Sequence, residues 1–298
     1  MSETVHLLVS PDAGRGRAGG ARETVLRELA AADVEVIDIT GADADGSRAA
    51  AADVVAAGAT RVVVVGGDGL VHLAVQAVAT SDTALGVVPV GTGNDFARGV
   101  DGVGDDDLRA SVRAALGPPG PIDAIRTDHG WVASVATAGF SGDVNGRANR
   151  LRFPRGPSRY TVATVAELPG LRTHEITVTV DGETFTTPAA LLAVANTGWF
   201  GGGMHICPDA DPADGLLEMT VVADVGRLEL LRFFRLVFSG RHLEHPKVHT
   251  HRGREIRVDA GDLAFWGDGE PLGRAPTTMT AEPGALLLAG AVGQPRDD

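Results

Sequence analysis

Four short runs of aliphatic, largely β-branched residues open the chain: Val5 to Val9, Glu35 to Ile39, Arg61 to Val65 and Leu85 to Val90. Each reads as a strand. Between them, alanine- and leucine-rich stretches near 21–32 and 47–58 predict helices. Strands alternating with helices indicate a parallel sheet covered on both faces, whose ligands bind at the carboxyl ends of the strands. Those ends are rich in glycine: Ser10 to Gly20 after the first strand, Gly66-Gly67-Asp68-Gly69 after the third, and Gly91-Thr92-Gly93-Asn94-Asp95 after the fourth.

Beyond Gly117-Pro118-Pro119-Gly120-Pro121 the rhythm changes. Short runs such as Glu175 to Val180, Leu191 to Ala195, Met219 to Val222, Glu255 to Val258 and Leu286 to Leu288 are separated by turns such as Asp181-Gly182 and Asp214-Gly215. This half reads as mainly antiparallel β with one helix at 226–239, where the amphipathic run Leu228 to Phe238 is expected to pack one face on the core. The expected division is an α/β domain over 1–122 and a β-rich domain over 123–298, leaving room for the extreme C terminus to return to the first. No internal repeat is present.

Composition narrows the class. Of 298 residues 44% are hydrophobic, which excludes a disordered chain, and the 40 glycines follow no period, which excludes collagen. A net charge of −13 argues against nucleic acid as a partner. Cys207 is the only cysteine, so an intrachain disulfide is impossible and a reducing compartment is expected. The first residues lack a basic leader region, and the expected location is cytoplasmic.

Glycines let backbone N–H groups approach phosphate oxygens, and Asp68 can face a Mg²⁺ ion or the attacking hydroxyl. A plain strand-to-helix turn also favours Gly and Asp; the presence of a second such turn, with Asn94 or Asp95 as a helix cap and Thr92 as a hydroxyl donor, favours a nucleotide site. The Walker sequence is absent, so a P-loop kinase is not expected. His242, His245, His249 and His251 have no cysteine nearby and irregular spacing, and read as ordinary loop and strand histidines.

The ordered set of these turns resembles the diacylglycerol kinase catalytic domain family of bacterial lipid kinases. Further matches follow: Asn196 to Gly203 with Met204, Pro208-Asp209-Ala210-Asp211 with Asp214-Gly215, His245-Pro246-Lys247-Val248, and Asp268-Gly269-Glu270. The resemblance spans nearly the whole chain. It implies an α/β nucleotide-binding domain of the NAD-kinase and diacylglycerol-kinase type, a β-rich second domain, and an active site between them. It implies nucleotide contacts at Thr40, Gly66, Gly67, Asp68, Gly69, Leu70, Val71, His72, Thr92, Gly93 and Asn94, with Arg15 near the phosphates. Glu270 falls on the family's catalytic base and Asp68 on its Mg-phosphate organiser. A structural Mg²⁺ is implied at Asp211, Asp214 and the carbonyl of Leu216, apart from the Mg²⁺ that accompanies ATP. Leu70 replaces the threonine or serine of most bacterial relatives, and Gly-Asp-Gly-Leu-x-His resembles sphingosine kinases. Ser10 replaces the usual asparagine of the first loop.

The resemblance therefore implies an ATP-dependent transfer to a lipid hydroxyl, with diacylglycerol the leading acceptor. Two alternatives stand beside it: a kinase of a soluble acceptor such as NAD, against which the missing Asn-Glu ribose pair speaks, and a silent nucleotide-binding regulator, suggested by Leu70 and Ser10. Arg147, Arg150, Arg152, Arg155 and Arg159 lie in a stretch without Asp or Glu. With Gly146, Pro154, Gly156 and Pro157, this segment is expected to be a mobile loop that docks on the inner membrane surface, the alternative being a solvated basic loop that pairs with the protein's own surplus carboxylates. A homodimer stays open.

Overall fold

The computed structural model describes residues 3–10, 21–103, 107–151, 153 and 158–291. The chain forms two compact units, Met1–Ala124 with Pro283–Asp298, and Ile125–Glu282.

In the first unit the order is β1 (Thr4–Val9), α1 (Ala21–Ala31), β2 (Glu35–Asp38), α2 (Ala44–Ala56), β3 (Arg61–Gly66), α3 (Asp68–Val78), β4 (Ala84–Pro89), α4 (Asp95–Arg98) and α5 (Leu108–Ala115). The strand order β2-β1-β3-β4 is parallel throughout. Every residue of β3 is buried, as a central strand with both faces covered requires. Arg61 opens it and is also buried. Its guanidinium is satisfied by Glu3 Oε1 at 2.7 Å and by the carbonyls of Ala115 and Gly117 at 3.0 and 3.1 Å, as a buried cation must be. The chain leaves this unit within β5 (Pro119–Thr127) and returns within β18 (Thr277–Ala289), whose Leu287 and Leu288 pair in parallel with Ala84 and Leu85.

The second unit contains β6 (Gly130–Val132), β7 (Val135–Gly139), α6 (Phe140–Arg150), α7 (Ser158–Glu167), β8 (His174–Val180), β9 (Glu183–Ala189), β10 (Leu191–Ala195), β11 (Trp199–Phe200), β12 (Met204–His205), β13 (Leu217–Val222), α8 (Arg227–Leu236), β14 (Val248–Gly253), β15 (Glu255–Asp259), β16 (Ala264–Gly267) and β17 (Glu270–Arg274). Two antiparallel sheets form a sandwich. One runs β14-β13-β10-β7-β16-β17, and the other holds β15, β8, β9 and the first half of β18. Alternate residues of each meet in one core: Ile176, Val178, Ile256 and Val258 from one sheet, Ala136, Leu192, Val194, Met219 and Phe265 from the other. The opposite face of β10, with Leu191, Ala193 and Ala195, packs instead on Phe140, Val144, Leu230 and Phe233 of the helices. Hence β10 is buried on both sides and reads as an unbroken apolar run.

Two expectations need correction. The second unit holds three α-helices among its described residues, where the pattern predicted one. Glycines at 142 and 146 conceal α6 because they are poor helix formers. They are there for packing: a Cβ on Gly142 would sit 3.0 Å from Trp266 Cδ1, and one on Gly146 3.4 Å from its Cζ2. The two ends of the basic segment are likewise helical, while Leu151 and Phe153 between them are not. Arg147 and Arg150 occupy the last turn of α6 and Arg159 the first of α7, while Arg152 and Arg155 lie outside the described residues. Arg147 is held by Glu167 at the far end of α7. The expected helix at 226–239 is α8 followed by a short 3₁₀ turn, Val237–Ser239. Among the described residues no helix is long and apolar enough to cross a membrane.

Candidate active site

In the first unit the predicted nucleotide residues gather at the carboxyl ends of β2, β3 and β4. The two glycine turns touch backbone to backbone: a Cβ on Gly91 would lie 2.6 Å from Gly67 Cα, and one on Gly67 3.2 Å from Gly91 Cα. Gly91 has no room for a side chain, and at Gly67 one would fit only if the turns gave way by a few tenths of an ångström. Asp68 locks the pair, because its Oδ1 accepts the Phe96 N–H at 3.1 Å. Asn94, one of the two expected cap residues, occupies the N-cap of α4, but the side-chain bond to the first turn comes from Asp68 of the neighbouring turn. Asn94 itself is left-handed (φ 54°) and donates its amide to the Gly91 carbonyl at 3.2 Å.

Around this contact, Thr40 Oγ1 accepts the Val9 N–H at 2.9 Å, and the Ser10 N–H reaches Val65 O at 2.9 Å. Thr40 therefore ties the ends of β1 and β2 together, and its backbone N–H and side chain also hydrogen-bond the Asp38 carboxylate. α3 begins at Asp68, and the Gly69 amide in its first turn has no acceptor within the helix, which makes this end receptive to an anion. Gly69 and Thr92 are exposed, and Leu70 and His72 are half-buried. Val71, also predicted to touch nucleotide, is 3% exposed and packs into the core of the unit. The glycine-built turns and the open end of α3 fit a polyphosphate. Arg15 lies outside the described residues.

In the second unit Glu270 is exposed at the start of β17, opposite Gly267. The two-residue link Asp268-Gly269 has φ of 52° and 86°, the paired left-handed geometry of a tight hairpin. Three bonds pin this turn. The Asp268 carboxylate accepts the Ala133 and Ser134 N–H groups at 2.9 and 2.8 Å, and Asn149 donates to the Gly269 carbonyl at 3.1 Å. Asn196, 0% exposed, donates to Ala133 O at 3.0 Å and extends the brace. Asp268, Asn149 and Asn196 are positioning residues that the motif alone left without a role. The Asp-Gly pair was the available signal, since such a link between two strands demands a locked turn.

Asp211, Asp214 and Leu216 share one loop. Asp211 Oδ1 accepts the Ala213 N–H at 3.0 Å and Asp214 Oδ1 accepts the Leu216 N–H at 2.8 Å. The guanidinium of Arg252 lies against the other oxygen of Asp214 and 3.4 Å from Glu218 Oε1. Burial pushes the Glu218 carboxyl up despite Arg252, with Asp209 and Asp214 adding to the rise. Two carboxylates and a carbonyl on one loop suit a hard cation, and here Arg252 supplies the positive charge beside Asp214.

The four histidines lie apart from these groups. His242 is buried with Nε2 2.9 Å from Ile206 O, and burial holds its imidazole below its usual value. His245 faces Glu229, and His249 and His251 sit on β14.

Comparison with known proteins follows the same two units. Residues 4–127 match the diacylglycerol kinase catalytic domain, and residues 134–290 match the YegS C-terminal NAD kinase beta sandwich-like domain. A curated diacylglycerol kinase of Mycobacterium tuberculosis is 38% identical over 291 residues, covering 95% of this chain and 94% of that one. One of Bacillus subtilis is 26% identical over 219 residues, covering 72% of each. Two crystal structures from Bacillus anthracis, 20% and 19% identical, superpose with TM-scores of 0.81 and 0.75; the first covers 97% of this chain and 96% of that one, the second 97% of each. These last two establish the fold. The identity to the mycobacterial enzyme over almost the full length of both chains establishes more: this chain belongs to the diacylglycerol kinase catalytic domain family of kinases.

Proposed function

We propose that the chain transfers the γ-phosphoryl group of ATP to the hydroxyl of a membrane lipid, with diacylglycerol as the acceptor and phosphatidic acid as the product. The observation that supports this reading best is the contact of the Gly67 and Gly91 turns beside the open end of α3, a backbone surface shaped for phosphates. The two units divide the chemistry. The Gly69 amide and the side chains of Thr40 and Thr92 orient the phosphates, while the Asp68 carboxylate organises the magnesium that accompanies them. That Mg²⁺, when bound, neutralises charge on the phosphate oxygens. Glu270 takes the proton of the lipid hydroxyl as its oxygen bonds to the γ-phosphorus. The bond from that phosphorus to the bridging oxygen breaks, ADP departs, and Glu270 returns its proton to water. Peripheral membrane contact through the basic segment centres on Arg150 and Arg159, because Arg147 is held by Glu167.

Incubation of the purified chain with Mg-ATP and, separately, diacylglycerol, a sphingoid base and NAD tests the acceptor. Phosphatidic acid is the expected product. Phosphorylated NAD, or no product from any acceptor, overturns the reading.

A structural Mg²⁺ at Asp211, Asp214 and the Leu216 carbonyl would displace Arg252 from Asp214. A ligand at about 100 times its Kd stabilises the native state by about 2.7 kcal/mol. Without nucleotide, Tm should therefore rise with free Mg²⁺ in the wild type and stay flat in Asp214→Asn. Equal responses would remove the ion from this loop.

A further inference from the structure

The hairpin that carries Glu270 is weakly held by its own ladder. β17 is an edge strand, so β16 alone pairs with it. The register between the two shifts between Phe265 and Trp266, and the residue opposite Trp266 is Pro271, which has no N–H to donate. A catalytic carboxylate has to stand within about 0.5 Å of its working position. Such precision must reach this turn from outside the ladder.

α6 supplies it, because its sequence carries two stripes. Phe140, Val144 and Ala148, four apart, enter the core shared with β10 and α8. Gly142, Gly146 and Asn149, spaced four and three, form a second stripe that meets β16 and the turn after it. The indole of Trp266 lies along this stripe. A Cβ on Gly142 would stand 3.0 Å from its Cδ1 and 3.1 Å from its Nε1, and one on Gly146 3.4 Å from its Cζ2, so the five-membered ring sits at one glycine and the six-membered ring at the other. A rigid plate spanning one helical turn fixes both the height of α6 over the strand and its position along it.

With the helix so placed, the Asn149 amide, one turn beyond Gly146, donates to the Gly269 carbonyl at 3.1 Å. That carbonyl and the Glu270 N–H belong to one planar peptide unit, so the bond sets the direction in which the chain enters Glu270. Asp268 ties the preceding part of the turn to Ala133 and Ser134 and leaves this peptide to Asn149. We propose that α6 is the positioning element of the catalytic turn: Trp266, seated on Gly142 and Gly146, sets the register of the helix, and through it Asn149 orients the Gly269–Glu270 peptide and holds the Glu270 carboxylate in its working direction. Trp266 and Asn149 are thus positioning residues that act as one unit. That the orientation serves proton transfer rests on the kinase reading above; the dock between helix and turn does not.

Amide hydrogen exchange and kinetics on the full chain test the dock and its purpose separately. In Asn149→Ala the turn loses an anchor, so exchange over 268–270 should quicken about tenfold and kcat for the lipid should fall about tenfold. The KM for ATP and Tm should hold, since Asn149 is exposed and the nucleotide residues belong to the first unit. Gly142→Ala should act through the indole: its methyl pushes ring and helix apart by a few tenths of an ångström, so exchange and kcat move in the same direction although alanine is the better helix former. The two effects should not add, because in the Asn149→Ala background the bond that the shift would loosen is already gone. Additive losses would reduce the residues to separate packing roles and overturn the proposal, as would unchanged exchange over 268–270 in both variants. Quickened exchange with wild-type kcat would overturn the positioning role. A wild-type chain that phosphorylates no lipid would overturn the reaction, and the exchange data would still decide the dock.

Discussion

Glu270→Gln is expected to lower kcat about 10²- to 10⁴-fold, the range associated with loss of a positioned general base, while leaving Tm unchanged. The amide keeps the size and shape of the carboxylate and cannot take the hydroxyl proton. Stability is spared because Glu270 is exposed and the turn that carries it is pinned by its neighbours. Asp268→Ala should behave differently. It strands the Ala133 and Ser134 N–H groups, each worth about 1–3 kcal/mol when left unsatisfied in a buried place, so Tm falls along with activity. Activity assays beside thermal melts separate the two cases. A Glu270→Gln protein with near wild-type turnover would remove Glu270 from the chemistry.

Gly91→Ala is expected to damage both stability and the candidate nucleotide site. Its Cβ would meet Gly67 Cα at 2.6 Å and Asn94 Oδ1 at 2.8 Å, below any real contact distance, and the first obstacle is main chain. The turns must part, and overpacking of this kind costs about 1–3 kcal/mol. Separation also withdraws Phe96 N–H from Asp68, so the carboxylate loses its orientation. The KM for ATP should rise more than tenfold and Tm should fall. Unchanged values in both measurements would mean that the turns need not touch.

The parallel half of the fold was legible because β3 is buried on both faces and its sequence is correspondingly all valine between Arg61 and Gly66. The glycine turns were legible as a site for the same reason they function as one: close backbone approach leaves no substitute for glycine. Two things were not. α6 carries glycines that serve Trp266 and weaken its helical signal, and the partner of Asp68 is a backbone amide 28 residues away, which no local pattern reveals. The helical ends of the basic segment were hidden because its Gly and Pro residues suggest a loop: all three of its described arginines lie at the ends of two helices, while Pro154, Gly156 and Pro157 lie outside the described residues. Arg147 gave no hint that Glu167 awaits it.

The return of the chain into the first unit has a consequence for synthesis. β4 gains its neighbour on one side only from Leu287 and Leu288, after the whole of Ile125–Glu282 has been made. During translation, which delivers about 5–20 residues per second, the nascent first unit must therefore wait with an apolar strand edge uncovered. The Ile125–Glu282 unit, an uninterrupted piece of chain, is the first to be complete and can fold in the meantime. A gene fragment ending at the first boundary would encode a sheet that stays unfinished, and its product should be recovered as aggregate unless the closing strand is supplied in trans.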